Sequence, residues 1–187
     1  MEEEVELILD LCKERMAAAI EHLEKELVHI RAGKASPRML DGVTVDYYGS
    51  MTPLAQVSNI NTPDARTIAV QPWEKQLIPE IEKAIINANL GFNPENNGEL
   101  IRINVPPLTE ERRKSLSKQA NTEGENAKVA IRSARKEAND ALKKLLKTGL
   151  SEDLEKDAET TVQNMTNDFA KSVESLLEKK TQEIFTI

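Results

Sequence analysis

The chain has 187 residues, 30% of them charged and only 3% aromatic, with a net charge of −7. That length supports one or two domains with a buried core, and so few aromatics beside so much Ala, Leu, Glu and Lys favour long helices. A single cysteine, Cys12, excludes an intramolecular disulfide and a multi-cysteine zinc site. No apolar run approaches the roughly 18 residues that a membrane span needs. The acidic start, Met-Glu-Glu-Glu-Val-Glu, lacks the basic opening of a secretory signal, so a cytoplasmic protein with no membrane partner is expected.

Residues 3–30 read as a first long helix. Val5, Leu9, Cys12, Met16, Ala19, Leu23, Leu27 and Ile30 recur at intervals of three and four, which makes one apolar stripe. Cys12 lies on that stripe and reads as a buried thiol. His22 and His29 have no third ligand nearby and read as solvated or capping residues.

The helical period stops at Arg31-Ala32-Gly33-Lys34-Ala35-Ser36-Pro37, where Gly and Pro break it. Val43, Val45 and Tyr47 then alternate with polar residues, which predicts a strand. Residues 48–53 read as a turn, 55–61 as a second extended run and 66–71 as a third. Pro79 opens a short helix with Ile81, Ile85 and Ala88 on one face, ended by Gly91. A further extended piece is expected near Phe92. Asn96-Asn97-Gly98 reads as a hairpin-like turn. Ile101, Ile103 and Val105 share one face of a closing strand.

Pro106-Pro107 stop that strand, and Thr109, Glu110 and Glu111 open a second long helix, with a hydroxyl cap and acid in its first turn. It runs to Lys147 and stops at Gly149. Its stripe, Leu116, Ala120, Ala127, Ile131, Ala134, Ala138, Leu142 and Leu145, is thin and Ala-rich, so partner helices can come close. Gly124 interrupts it and marks either a bend or a close contact. Ser151 and the acids after it open a third helix, carried to about Ile184 by Leu154, Ala158, Val162, Met165, Phe169, Val173, Leu176 and Leu177.

Three single-striped helices bury their stripes together. The expected fold is therefore α+β: an elongated antiparallel three-helix bundle from residues 1–30 and 106–187, with a small β/α/β domain inserted at 31–105. Two chain segments, 31–37 and 105–107, would join them as a hinge, giving a rod with a lobe, bent like an L.

Charge is distributed unevenly. Residues 109–149 hold eleven Lys+Arg against six Asp+Glu, a net of +5, whereas 1–30 and 150–187 carry −6 and −5. The basic helix either pairs with two acidic neighbours or presents a ridge to nucleic acid. Lys128, Arg132 and Arg135, spaced four and three apart beside Ile131, suit such a ridge. Catalytic chemistry has no foothold. The seven glycines are scattered rather than gathered in a phosphate loop, no Ser-His-Asp or Cys-His set is suggested, and the carboxylates read as solvated.

Several runs carry a closer likeness. They are Ile30-Arg31-Ala32-Gly33-Lys34-Ala35-Ser36-Pro37, Leu40-Asp41-Gly42, Tyr47-Tyr48-Gly49, Val105-Pro106-Pro107-Leu108-Thr109-Glu110-Glu111-Arg112-Arg113-Lys114, Val129-Ala130-Ile131-Arg132 and Ala138-Asn139-Asp140. Together they closely resemble the ribosome recycling factors over essentially the whole chain. The resemblance implies a tRNA-like outline and a non-enzymatic translation factor. Such a factor works with elongation factor G, and with GTP hydrolysis by that partner, to split the post-termination ribosome and release it from messenger RNA. It implies a monomer with no cofactor and no metal, and a large-subunit rRNA contact. Arg132 matches the family's arginine at that contact; Arg135, Lys128, Arg112, Arg113 and Arg31 match basic positions of the same surface. Arg31, Ala32, Gly33, Lys34, Val105, Pro106 and Pro107 fall at the hinge. Lys34 stands where many relatives carry Arg, which keeps charge but loses forked phosphate geometry. Gly124 departs from the helix former expected there. A non-catalytic helical scaffold is the alternative reading.

Overall fold

The computed structural model describes residues 1–30 and 33–186. Among the described residues, four α-helices occur in chain order: α1 (Glu2–His29), α2 (Ile78–Asn87), α3 (Glu110–Lys147) and α4 (Glu152–Thr186). Six strands lie between the first and third: β1 (Thr44–Tyr47), β2 (Ser50–Pro53), β3 (Ser58–Asp64), β4 (Thr67–Pro72), β5 (Pro94–Asn96) and β6 (Ile101–Asn104). The chain divides into two compact units, Met1–Arg31 with Glu110–Thr186, and Ala32–Thr109. The architecture is α+β.

The first unit is a bundle of α1, α3 and α4. Cys12, Met16, Ala19, Leu23, Leu27 and Ile30 are buried along α1, so the three-and-four period marks the face it buries. The Cys12 thiol points to the Ala134 carbonyl oxygen of α3 at 3.8 Å, and burial pushes its pKa up. In α3, Leu116, Ala120, Ala127, Ile131, Ala134, Ala138 and Leu142 are buried; Leu145 is only half-buried. The α3–α4 connection explains their antiparallel course. Gly149 has φ +114°, Leu150 N donates to the Leu145 oxygen at 3.0 Å, and Gly149 N to the Leu146 oxygen at 3.3 Å. These two bonds satisfy end carbonyls of α3, and buried Leu150 anchors the turn. Ser151 Oγ then accepts from Leu154 N and caps α4.

Gly124 is a close contact. A Cβ there would lie 2.5 Å from Leu177 Cδ1 and 3.1 Å from Leu177 Cγ on α4. α4 departs from its expected stripe at its start: Leu154 is 41% exposed while Glu155 is 7% exposed. The neighbouring Glu159 carboxylate, together with burial, raises the Glu155 pKa, while Lys143 and Lys156 oppose the rise.

The second unit contains a β1–β2 hairpin and an antiparallel sheet in the order β3-β4-β6-β5. Ile68 and Val70 of β4 and Ile101 and Ile103 of β6 are fully buried, with Ile81 and Ile85 of α2 in the same core. The turn expected over 48–53 is corrected: only residues 48 and 49 turn, and Ser50–Pro53 pair with β1. The extended run expected at 55–61 starts later, because Leu54–Gln56 form a 3₁₀ turn before β3. The piece expected near Phe92 is Pro94–Asn96. Entry and exit of this unit meet at one place. Ala35 N donates to the Ala65 oxygen at 2.8 Å, and Val105 N to the Arg66 oxygen at 2.7 Å, so both strands hold the β3–β4 turn.

Two tests follow from the bundle. Gly124→Ala should gain about 1 kcal/mol of helix propensity yet lose about 1–3 kcal/mol to overpacking against Leu177. Leu177→Ala alone should cost about 2–5 kcal/mol. Denaturant unfolding of the double variant should fall short of the summed losses by more than about 1 kcal/mol; additive losses would refute the contact. The second test concerns Glu155. Its raised pKa means the folded state holds the proton more tightly than the unfolded chain, so its carboxylate costs stability above that pKa and the cost disappears as pH falls through it. Glu155→Gln should raise the melting temperature at pH ~7 and lose that advantage towards pH ~4. An equal effect at both pH values would refute the raised pKa.

Candidate nucleic-acid interface

α3 is about 57 Å long at 1.5 Å per residue, and each residue turns about 100°. Its buried stripe fills one side. Relative to Ile131, the outward side carries Lys114, Lys118, Arg132, Lys136, Lys143 and Lys147 within about 60° of arc. All six are exposed. Their separations, 4, 14, 4, 7 and 4, each return to the same face.

The other expected contact residues sit elsewhere. Lys128 and Arg135 are half-buried at the rim of the buried stripe. Lys128 Nζ pairs with Glu174 Oε1 of α4 at 2.5 Å and with Glu125 Oε1 at 3.4 Å, and these carboxylates raise its pKa. Arg113 Nη1 donates to the Ile184 carbonyl oxygen at 2.5 Å, near the C-terminal end of α4, where a cation complements the helix dipole. Arg112 is exposed on a different side of α3 from Arg132. Arg31 and Ala32 lie outside the described residues.

The remaining hinge positions all fall in the inserted unit. Val105 is buried and hydrogen-bonded to Arg66. Gly33 has φ +74°, and a Cβ there would lie 2.5 Å from Leu108 Cγ, so the two linker strands touch where only glycine fits. Lys34 and Pro106 are exposed, and Pro107 follows with no regular structure.

Ion pairing separates the two readings of the basic helix. Across the bundle, α3 pairs with its neighbours through Lys128–Glu174 and through Glu137 with Arg15 of α1. Lys114 pairs within α3, with Glu110 at 3.7 Å. Among the described residues, Lys118, Arg132, Arg135, Lys136, Lys143, Lys144 and Lys147 have no ion pair within 4.0 Å. Most of the positive charge therefore does not neutralise the bundle. It stands outward on a rigid helix, where it can meet phosphates at fixed spacing. Lys118, Lys136, Lys143 and Lys147 were not singled out from the sequence as contact residues; the four-and-seven spacing was the signal for them.

Other chemistry finds little here. Among the described residues no cluster of three or more His, Cys, Asp or Glu could hold a metal ion, and no helix is long and apolar enough to cross a membrane.

Comparison with known proteins gives one consistent result. The profile of the family described as "Ribosome recycling factor" matches residues 23–185. A ribosome-recycling factor of Flavobacterium johnsoniae is 58% identical over 187 residues, covering 100% of both chains. That of Bacteroides thetaiotaomicron is 52% identical over 184 residues, covering 98% of this chain and 99% of the other. A solution structure of a ribosome recycling factor matches with TM-score 0.70 and 35% identity over 98% of each chain. A second match has TM-score 0.58 and 43% identity, covering 96% of this chain and 98% of the other. It belongs to models of the Thermus thermophilus (T. thermophilus) recycling factor and E. coli elongation factor G bound to the E. coli post-termination complex. A family profile spanning most of the chain, with relatives this similar along its whole length, makes this protein a member of the ribosome recycling factor family.

Proposed function

We propose that this chain splits the post-termination ribosome, together with elongation factor G, and so frees it from messenger RNA for another round of translation in the cytoplasm. It is not an enzyme: GTP hydrolysis belongs to the elongation factor. The observation that carries the site is the outward face of α3, where Arg132 stands exposed among Lys118, Lys136 and Lys143 without an ion pair among the described residues. That face docks on ribosomal RNA of the large subunit. Arg132 supplies a charge-assisted, forked contact to phosphate, and the lysines supply point charges along the same line. Arg135 contributes from its flank, and Arg112, about 160° round the helix from Arg132, contributes as a separate contact. Lys128 and Arg113 serve the interface indirectly, by fixing α3 against α4.

The second part of the proposal is bending at the two linkers. The chain passes twice between the compact units. Gly33, Lys34, Pro106 and Pro107, at the edge of the inserted unit, form the pivot, and Val105 is held within it by its bond to Arg66. Hinge motion of this kind lets packed units move as rigid bodies while a few linker residues absorb the change.

Arg132→Ala tests the first part. Its unfolding free energy should stay within about 0.5 kcal/mol of the parent protein's, because an exposed charge contributes little to folding. Ribosome affinity should fall roughly ten- to hundredfold, and the salt dependence should lose about one phosphate contact. Lys128→Ala should do the reverse: melt earlier and bind within about threefold of the parent. If Arg132→Ala binds and splits ribosomes like the parent, the face is wrongly assigned. For the second part, a covalent bridge between the two units should leave ribosome binding measurable and abolish splitting. Normal splitting by the bridged protein would rule out bending.

A further inference from the structure

The inserted unit presents an aromatic feature that the rRNA reading does not use. β1 and β2 pair with Tyr47 opposite Ser50, so the hairpin loop is the two residues Tyr48 and Gly49. Both have positive φ, +51° and +84°. This is the type I′ pattern, in which Asn, Asp or Gly is preferred at the first position. A bulky aromatic with positive φ is an outlier. Tyr48 is also 75% exposed, so neither backbone preference nor burial accounts for it.

The ring is nevertheless held. The Tyr48 hydroxyl donates to Glu74 Oε2 at 2.9 Å, and the Tyr47 hydroxyl donates to Glu74 Oε1 at 3.0 Å. The two rings meet edge to face, with centroids 4.7 Å apart. Gly49 N donates to Asp46 Oδ1 at 2.9 Å and closes the turn. The Glu74 carboxylate pushes both tyrosine pKa values up, which keeps both hydroxyls as donors. A strained, exposed and fixed ring is pre-organised for contact, since little freedom remains to be lost on binding.

Charge selects the occupant. The Glu74 carboxylate lies against the ring's hydroxyl end, and residues 32–109 hold six Lys+Arg against eight Asp+Glu. A phosphate would be repelled here. A guanidinium or ammonium can lie on the ring face and reach the Glu74 carboxylate. Trp73, the neighbour of Glu74, and Met51, opposite Asp46 in the hairpin, are 62% and 65% exposed. Trp73, next to Glu74, adds apolar surface suited to a protein partner.

We propose that Tyr48 and Glu74 form a docking surface for an arginine or lysine side chain of the elongation factor. The proposal rests on the recycling reading, in which that factor is the protein that must act directly on this chain.

The experiment uses the full chain, ribosomes, elongation factor G and GTP. Tyr48→Asn creates Asn-Gly, a favoured pair for this loop, so it should melt no earlier than the parent. It should bind vacant ribosomes as the parent does, yet need roughly tenfold more elongation factor for half-maximal splitting. Glu74→Gln should raise that requirement too, whereas Tyr48→Phe, which keeps the ring, should stay within about threefold of the parent. An unchanged requirement in both Tyr48→Asn and Glu74→Gln overturns the proposal. A lower melting temperature for Tyr48→Asn makes the ring structural and also overturns it. Weaker ribosome binding without the factor assigns the surface to a ribosomal component instead. A parent protein that fails to split ribosomes at any factor concentration would instead refute the recycling reading itself.

Discussion

The constraint on which the bundle depends is the narrow seam of α3. A helix of 38 residues that buries mainly Ala, Gly and a few Leu and Ile leaves most of its circumference to solvent. Gly124 lets Leu177 of α4 close to within a distance that no side chain at position 124 would allow. Small residues at the contact bring the helix axes together, and dispersion across that close seam compensates for the little apolar area each residue contributes. The same narrowness decides where charge can go. Residues outside the seam have no partner helix over them, so the outward arc is free to collect like charges.

Collecting six cations on one arc is electrostatically unfavourable in isolation. Two conditions make it tolerable. The side chains are exposed, so solvent screens their mutual repulsion at distances of 6 Å and more along the helix. The bundle also supplies a net negative background, because the segments forming α1 and α4 carry excess acid. Few of those acids pair with α3; they act as a diffuse field. The result is an acidic protein with one positive edge, which RNA attracts on that edge and repels elsewhere. Such a distribution orients docking as well as strengthening it.

Legibility in the sequence followed physical cause. The seams of α1 and α3 were readable, because a buried helix face must repeat at three and four. β2 was not. Ser50-Met51-Thr52-Pro53 has no buried alternation and ends in proline, so only its pairing with β1 makes it a strand. At the start of α4, Leu154 looked like core and Glu155 did not. The capped turn at Ser151 fixes the helix phase there and turns Leu154 outward. Lys128 and Arg135 looked equivalent to Arg132 because all three flank Ile131, but a rotation of about 100° per residue puts Arg132 on the outward arc and the other two at the rim. The Glu174 partner of Lys128 could not be seen at all, since it depends on the register between α3 and α4. The position of Gly124 was conspicuous, while its meaning, bend or contact, needed Leu177.

The two candidate surfaces differ in how the chain builds them. On α3 every local preference agrees with the fold: a cap, a period, a Schellman turn and exposed polar residues. The proposed contact residues stand on positions the bundle does not bury, so removing Arg132 is expected to cost folding little. At Tyr48 local preference and structure conflict. A residue unsuited to its backbone conformation is kept in place by a carboxylate bound to two tyrosine hydroxyls. A conflict of that kind is maintained only if the ring does something on the surface that Asn or Gly could not. The free face of an aromatic beside a carboxylate offers one thing those residues lack, a place for a cation. On the proposed reading, the positive edge on α3 and the tip of the β1–β2 hairpin would sort two partners by the sign of their charge.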